Sequence, residues 1–102
     1  DGQWTNRFRL YPTENMWTFI EVDTFTGRLW QVQFSVKDKD GYRFYLPINL
    51  TKLANSYNKS VFSISPLTSM YQFYLMNDDT GEIWKFQWSQ KGPDYRWIER
   101  VR

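Results

Sequence analysis

The stretch Asp23-Thr-Phe-Thr-Gly27-Arg-Leu-Trp30-Gln-Val-Gln33 is met again 54 residues later as Asn77-Asp-Asp-Thr-Gly81-Glu-Ile-Trp84-Lys-Phe-Gln87. Each copy opens on an Asx residue, whose side chain can hydrogen-bond the backbone two residues on. Each then reaches a glycine, which takes positive φ without a steric penalty. Alternating apolar and polar residues follow, the period of a half-buried strand. The combination predicts a tight β-hairpin loop with a glycine bulge.

Working outward, residues 8–35 align with residues 62–89 without a gap and share nine identities over 28 positions, among them Pro12/Pro66, Met16/Met70, Phe19/Phe73 and Ser35/Ser89. Conservative pairs such as Leu10/Ile64, Leu29/Ile83 and Phe34/Trp88 fill the intervals. The chain is therefore a duplication, with repeats over about 7–48 and 61–101 and a connector over 49–60. Turn signals divide each repeat into four strands. They are expected over residues 7–11, 16–23, 28–36 and 42–48 in the first copy, and over 61–65, 70–77, 82–89 and 95–101 in the second. Polar, glycine-containing turns at 37–41 and 90–94 close the third hairpins, and one helical turn is expected at 50–54.

The chain has 102 residues, enough for one domain. Repeats of this size would bury too little surface to stand alone, so the two are expected to share a core. Six Trp, seven Tyr and eight Phe against a single Ala favour strands over helices. The expected fold class is all-β and antiparallel: eight strands forming two duplicated four-stranded meanders, related by an approximate twofold and closed into one barrel or sandwich.

Alternation assigns the faces. Trp30, Val32 and Phe34 alternate with Gln31, Gln33 and Ser35, and Trp84, Phe86 and Trp88 with Lys85, Gln87 and Ser89. The aromatic parity is expected to face the core in both copies, together with Phe8, Leu10, Trp17, Phe19, Phe44 and Leu46 and their counterparts Phe62, Ile64, Tyr71, Phe73 and Trp97. Burying such a ring is worth about 1.5–3 kcal/mol, so a packed core accounts for much of the aromatic content. The second strands, however, are apolar on both faces: Met16, Ile20 and Val22 oppose Trp17 and Phe19, and Met70, Tyr74 and Met76 oppose Tyr71, Phe73 and Leu75. A strand apolar on both sides is covered on both sides, by the other copy or by a partner chain. A homo-oligomer or a protein partner is expected on that ground.

The chemistry-bearing residues point away from catalysis. The chain has neither Cys nor His, which removes thiol chemistry and the commonest general base and metal ligand. Its carboxylates gather in predicted turns, where Asp serves the backbone. Glu14 and Glu21 meet Thr68 and Leu75 in the second copy, so no carboxylate pair is repeated for glycoside hydrolysis. No phosphate-binding glycine loop or EF-hand spacing is present. The chain is read as a non-enzyme without cofactor or metal, and a small hydrolase ranks last among the functions considered. Each half carries a net charge of +1, seven cations against six carboxylates and then six against five, which argues against a nucleic-acid partner. Nothing is long enough to span a membrane as a helix. The start at Asp1, without Met, suits an exported protein whose leader has been removed.

The polar parity offers the expected ligand face: Arg9, Tyr11, Gln31, Gln33, Arg43 and Tyr45 from the first copy, and Lys85, Gln87 and Arg96 from the second. Amide and guanidinium groups beside rings suit a sugar or a peptide, since the polar groups hydrogen-bond while a ring stacks. The leading expectation is an interaction or ligand-binding module, with a carbohydrate-binding module as the alternative.

The segment Leu10-Tyr-Pro-Thr-Glu-Asn-Met-Trp-Thr-Phe19, followed by Asp23 to Gln33, resembles a tandem β-repeat of small bacterial proteins of uncharacterised function. The resemblance implies a bacterial origin and supplies no activity. The pattern Asp23-x-x-Thr26-Gly27-x-x-Trp30 is also similar to the hairpin of quinoprotein-type propeller blades. A propeller requires at least about four blades, so the likeness of two units implies hairpin geometry alone.

Overall fold

In the computed structural model, residues 7–34, 43–54 and 59–102 are described, Arg43 by its backbone only. The first copy forms β1 (Phe8–Pro12), β2 (Thr18–Asp23), β3 (Leu29–Phe34) and β4 (Arg43–Asn49). The second forms β5 (Phe62–Pro66), β6 (Gln72–Asn77), β7 (Ile83–Gln87) and β8 (Trp97–Arg100), with a 3₁₀ turn at Pro93–Tyr95. Each copy is an antiparallel meander in sequence order, β1-β2-β3-β4 and β5-β6-β7-β8. The all-β, duplicated architecture stands as expected. No ladder joins the two sheets among the described residues, so they are not closed into a barrel. The turn expected at 37–41 lies outside the described residues.

The repeated hairpin loops have the same internal bonding. Gly27 at φ 82° and Gly81 at φ 76° occupy the left-handed region. Their N–H groups donate to the carbonyls of Asp23 (2.8 Å) and Asn77 (2.7 Å). Asp23 Oδ1 accepts from Phe25 N–H at 3.0 Å, and Asn77 Oδ1 accepts from Asp79 N–H at 2.9 Å. The Asx-and-glycine signal thus acts as its chemistry requires. The helical turn expected at 50–54 does not form. Asn49 Oδ1 instead takes the Thr51 N–H at 2.8 Å, and Leu53 N–H donates to the Thr26 carbonyl at 2.8 Å, tying the connector to the first hairpin.

Directly opposed residues of an antiparallel pair share a face. We call the face bearing Trp30 and Trp84 the front of its sheet and the opposite face the back. The register places Leu10, Glu21, Trp30 and Pro47 in one front row of the first sheet and Pro12, Phe19, Val32 and Tyr45 in the next. Its back carries Tyr11, Ile20, Gln31 and Leu46, with Val22 and Leu29 alongside. In the second sheet the front rows are Ile64, Leu75, Trp84 and Arg100, then Pro66, Phe73, Phe86 and Ile98.

One core joins the copies, and it joins unlike faces. Ile20, Val22 and Leu29 from the back of the first sheet, with Ile48, cluster with Phe62, Phe73, Leu75, Trp84 and Phe86 from the front of the second. The sheets are stacked front to back, not related by the twofold the sequence suggested. The aromatic parity is core in the second copy as expected, with two exceptions: Tyr71 is exposed, and Trp97 lies opposite Gln87, on the back, while Ile98 lies opposite Phe86. In the first copy the expectation fails for most positions: Phe8 and Leu10 are exposed, Phe44 lies opposite Gln33 on the back and is exposed as well, and Ile20, Val22 and Leu29 are buried instead, whereas Val32 is buried as expected. The physical reason is that two copies stacked in the same sense bury one front and one back, leaving the other front and the other back open.

Candidate interaction surface

The open front exposes several large apolar side chains. Phe8 and Leu10 are each 53% exposed, whereas their repeat counterpart Phe62 is only 2% exposed and Ile64 packs against the core. Tyr45 is likewise exposed. Trp30 and Phe34 are half-buried, and the Phe19 and Phe34 rings meet edge to face at 5.6 Å. Val32, between Trp30 and Phe34, is buried. Exposed apolar side chains grouped on one sheet face mark a surface for contact. Glu21 is the ionisable side chain set among the apolar groups of this front, between Leu10 and Trp30 in the register. Burial first, and the nearby Asp23 carboxylate second, push its carboxyl above the ordinary value.

Asp23 lies at the rim of the same front. Its carboxylate receives Arg7 Nε on Oδ1 and Nη2 on Oδ2, each at 3.1 Å. Burial alone would raise this carboxyl; hydrogen bonds from Arg7, the Phe25 N–H and Thr26 outweigh it and hold the group below its ordinary value. The Arg7 guanidinium also lies 5.1 Å from the Phe8 ring centre and 5.0 Å from that of Phe25. Such cation–π contacts hold Phe8 at the rim of the face.

The expected polar ligand face is not one surface. Front-to-back stacking turns it inward in the first copy and outward in the second. Gln31 is fully buried between the sheets. Its Oε1 accepts from Ser89 N–H at 3.0 Å, and its Nε2 donates to Gln33 Oε1 at 3.2 Å, where Thr18 Oγ1 also donates at 2.7 Å. These bonds satisfy a polar side chain that would be costly to bury unpaired. Gln31 is therefore a structural strut, and Gln33 its support. Tyr11 packs against the core and Arg9 is exposed at the sheet edge, while Tyr45 belongs to the opposite, front face. The Arg43 side chain lies outside the described residues.

In the second sheet Lys85 and Gln87 face outward on the back. Gln87 accepts from Gln72 Nε2 at 3.0 Å and donates to the Tyr95 carbonyl at 2.9 Å. Arg96 Nη1 donates to the Ser89 carbonyl at 3.0 Å, so it braces the turn over 90–94.

Hollows accompany these faces. A cleft of about 450 Å³ runs between the copies, lined by Tyr11, Pro12, Ile64, Pro66, Met70 and Phe73 among others. A smaller one, about 260 Å³, is bounded by Tyr71, Gln87, Trp88, Gln90, Lys91 and Tyr95. There the Tyr71 and Trp88 rings meet at 4.8 Å, and Lys91 Nζ lies 5.6 Å from the Tyr95 ring centre. Among the described residues no three acidic side chains gather in a way that could hold a metal ion. Among the described residues no helix is long and apolar enough to cross a membrane.

The open front does not follow from alternation alone, which places equivalent residues of the two copies alike. The signal was available in the differences between copies. On the back, Tyr11, Ile20 and Gln31 become Ser65, Tyr74 and Lys85, which are more polar, larger or charged. That is the pattern of a face buried in one copy and wet in the other. Comparison with known protein families, curated proteins and solved structures returns no match for this chain.

Proposed function

We propose that the chain is a non-enzymatic interaction module whose recognition surface is the open front of the first sheet. The observation that carries this reading is the contrast between exposed Phe8 and buried Phe62, residues at the same place in the repeat. Aromatic groups on a rigid sheet make low-entropy anchors for a protein partner. An apolar fluorescent dye such as anilinonaphthalene sulfonate tests it in dilute protein, below any concentration at which light scattering detects association. The native chain brightens the dye, and the double variant Phe8→Ser/Tyr45→Ser brightens it less with unchanged circular dichroism. A native chain that leaves the dye dark, or a variant equal to it, contradicts the reading.

The Tyr71–Tyr95 hollow favours a second reading, a carbohydrate-binding module. Tyr71 and Tyr95 are exposed rings beside the Gln90 amide and the Lys91 ammonium, the mixture that stacks on and hydrogen-bonds a sugar. Glycan titration followed by Trp88 emission, the ring packed on Tyr71, tests it. A response abolished by Tyr71→Ala supports the site, and flat titrations over a broad glycan panel exclude it.

A further inference from the structure

The open front and the open back of this chain are repeat-equivalents of the two faces that already pack on each other inside it. The inner interface sets the template. The Phe62 ring sits over Gly27, close enough that an added Cβ would lie 3.0 Å from its carbons. The Val61 and Phe62 N–H groups donate to the Thr24 carbonyl at 3.0 and 3.1 Å. Moving each partner by one repeat turns Gly27 into Gly81, Thr24 into Asp78, and Phe62 into Phe8.

Each displaced feature is present and uncovered. Gly81 has the same positive φ as Gly27 but open space where Gly27 meets a ring. Phe8, the ring that would fill that space, is exposed on the opposite side of the molecule. The Thr24 N–H bond to the Arg7 carbonyl (2.7 Å) recurs as the Asp78 N–H bond to the Val61 carbonyl (2.6 Å), so both loops present their carbonyls from the same scaffold. The back of the second sheet retains an apolar centre in the counterparts of Ile20, Val22 and Leu29, namely Tyr74, Met76 and Ile83. With Ser63, Ser65 and Val101 these line a shallow hollow of about 340 Å³.

Resting on the interaction-module reading, we propose that the partner is a second copy of this chain, bound head to tail: the front of its first sheet stacks on the back of the second sheet, seating its Phe8 over Gly81. Such an interface uses two different surfaces, so every copy added leaves the same pair open. The assembly grows until it closes as a ring or extends as a filament. The outer back is more polar than the inner one, with Ser65 and Lys85 where Tyr11 and Gln31 stand inside, but it keeps an apolar centre at Tyr74, Met76 and Ile83.

Sedimentation velocity on the full chain tests this with single variants at exposed positions: Leu10→Glu on the front and Met76→Glu on the back. The wild type forms species larger than a dimer with rising concentration. Each variant alone remains monomeric, and an equimolar mixture of the two forms a 1:1 dimer, because one intact front meets one intact back. Phe8→Glu and Tyr74→Glu replace them if either variant loses its native circular dichroism. A wild type that stays monomeric at every concentration overturns the proposal. So does a mixture that stays monomeric, or an assembly that the back variant leaves intact, which would mean front-to-front pairing or another occupant. If dye binding to the front holds while self-association fails, the interaction surface stands and the partner is a different chain.

Discussion

The Phe62 ring lies on Gly27 at a distance that leaves an added Cβ only 3.0 Å from two ring carbons, whereas Gly81, the same residue of the same turn, faces open space. Both glycines have positive φ, which costs an L-residue roughly 1–2 kcal/mol. In dilute protein, Gly81→Ala is expected to lose about that much stability. Gly27→Ala loses more, since the ring and Leu53 must also shift. Urea unfolding of the two variants measures the difference, and equal losses would mean that Gly27 is not a packing contact between copies.

Gln31 and Lys85 occupy one place in the repeat and opposite environments in the fold. Gln31→Ala removes the acceptor of the Ser89 N–H between the sheets and is expected to cost about 1–3 kcal/mol. Lys85→Ala, on the outer back, is expected to stay within about 0.5 kcal/mol of wild type. Chemical denaturation decides the matter, and a neutral Gln31→Ala would remove the strut from the account.

The two perturbed carboxyls give opposite pH signatures. Asp23 titrates lower in the folded chain than in the unfolded one, so its contribution is present above the usual Asp value of about 3.9 and is lost as pH falls through the lower folded value. Glu21 titrates higher when folded, so the fold binds its proton more tightly and stability from this group rises as pH falls through the raised value toward about 4.3. Asp23→Asn is therefore expected to destabilise the protein at neutral pH and to flatten the acid limb. Glu21→Gln is expected to stabilise it at neutral pH and to lessen its gain on mild acidification. Thermal unfolding across pH 3–7 reads both; variants with slopes equal to wild type would contradict the assignment.

The sequence carried the parts of the fold that depend on local chemistry. The Asx-to-glycine loops at Asp23–Gly27 and Asn77–Gly81, the alternation along β3 and β7, and the duplication itself all follow from residue type and spacing. The relation between the copies did not follow, because period-2 alternation distinguishes two faces without saying which is covered. Trp30 and Trp84 read alike, yet the front of one sheet is open and that of the other is core. The site residues suffered from the same ambiguity: Gln31 and Lys85 share a parity, but one is a buried strut and the other lies on the outer back. The doubly apolar second strands did not resolve it: in β2 the back residues Ile20 and Val22 lie in the core, and Phe19 on the front is half-buried.

Front-to-back stacking is the claim on which the rest depends, and the pair Phe8→Ala and Phe62→Ala tests it most directly in dilute, monomeric protein. Phe62→Ala empties a buried ring site and is expected to cost about 3–5 kcal/mol in urea unfolding. Phe8→Ala, from an exposed position, is expected to cost well under half as much. Equal losses for the two, or a larger loss at Phe8, would mean that the copies bury equivalent faces and that the front of the first sheet is not open.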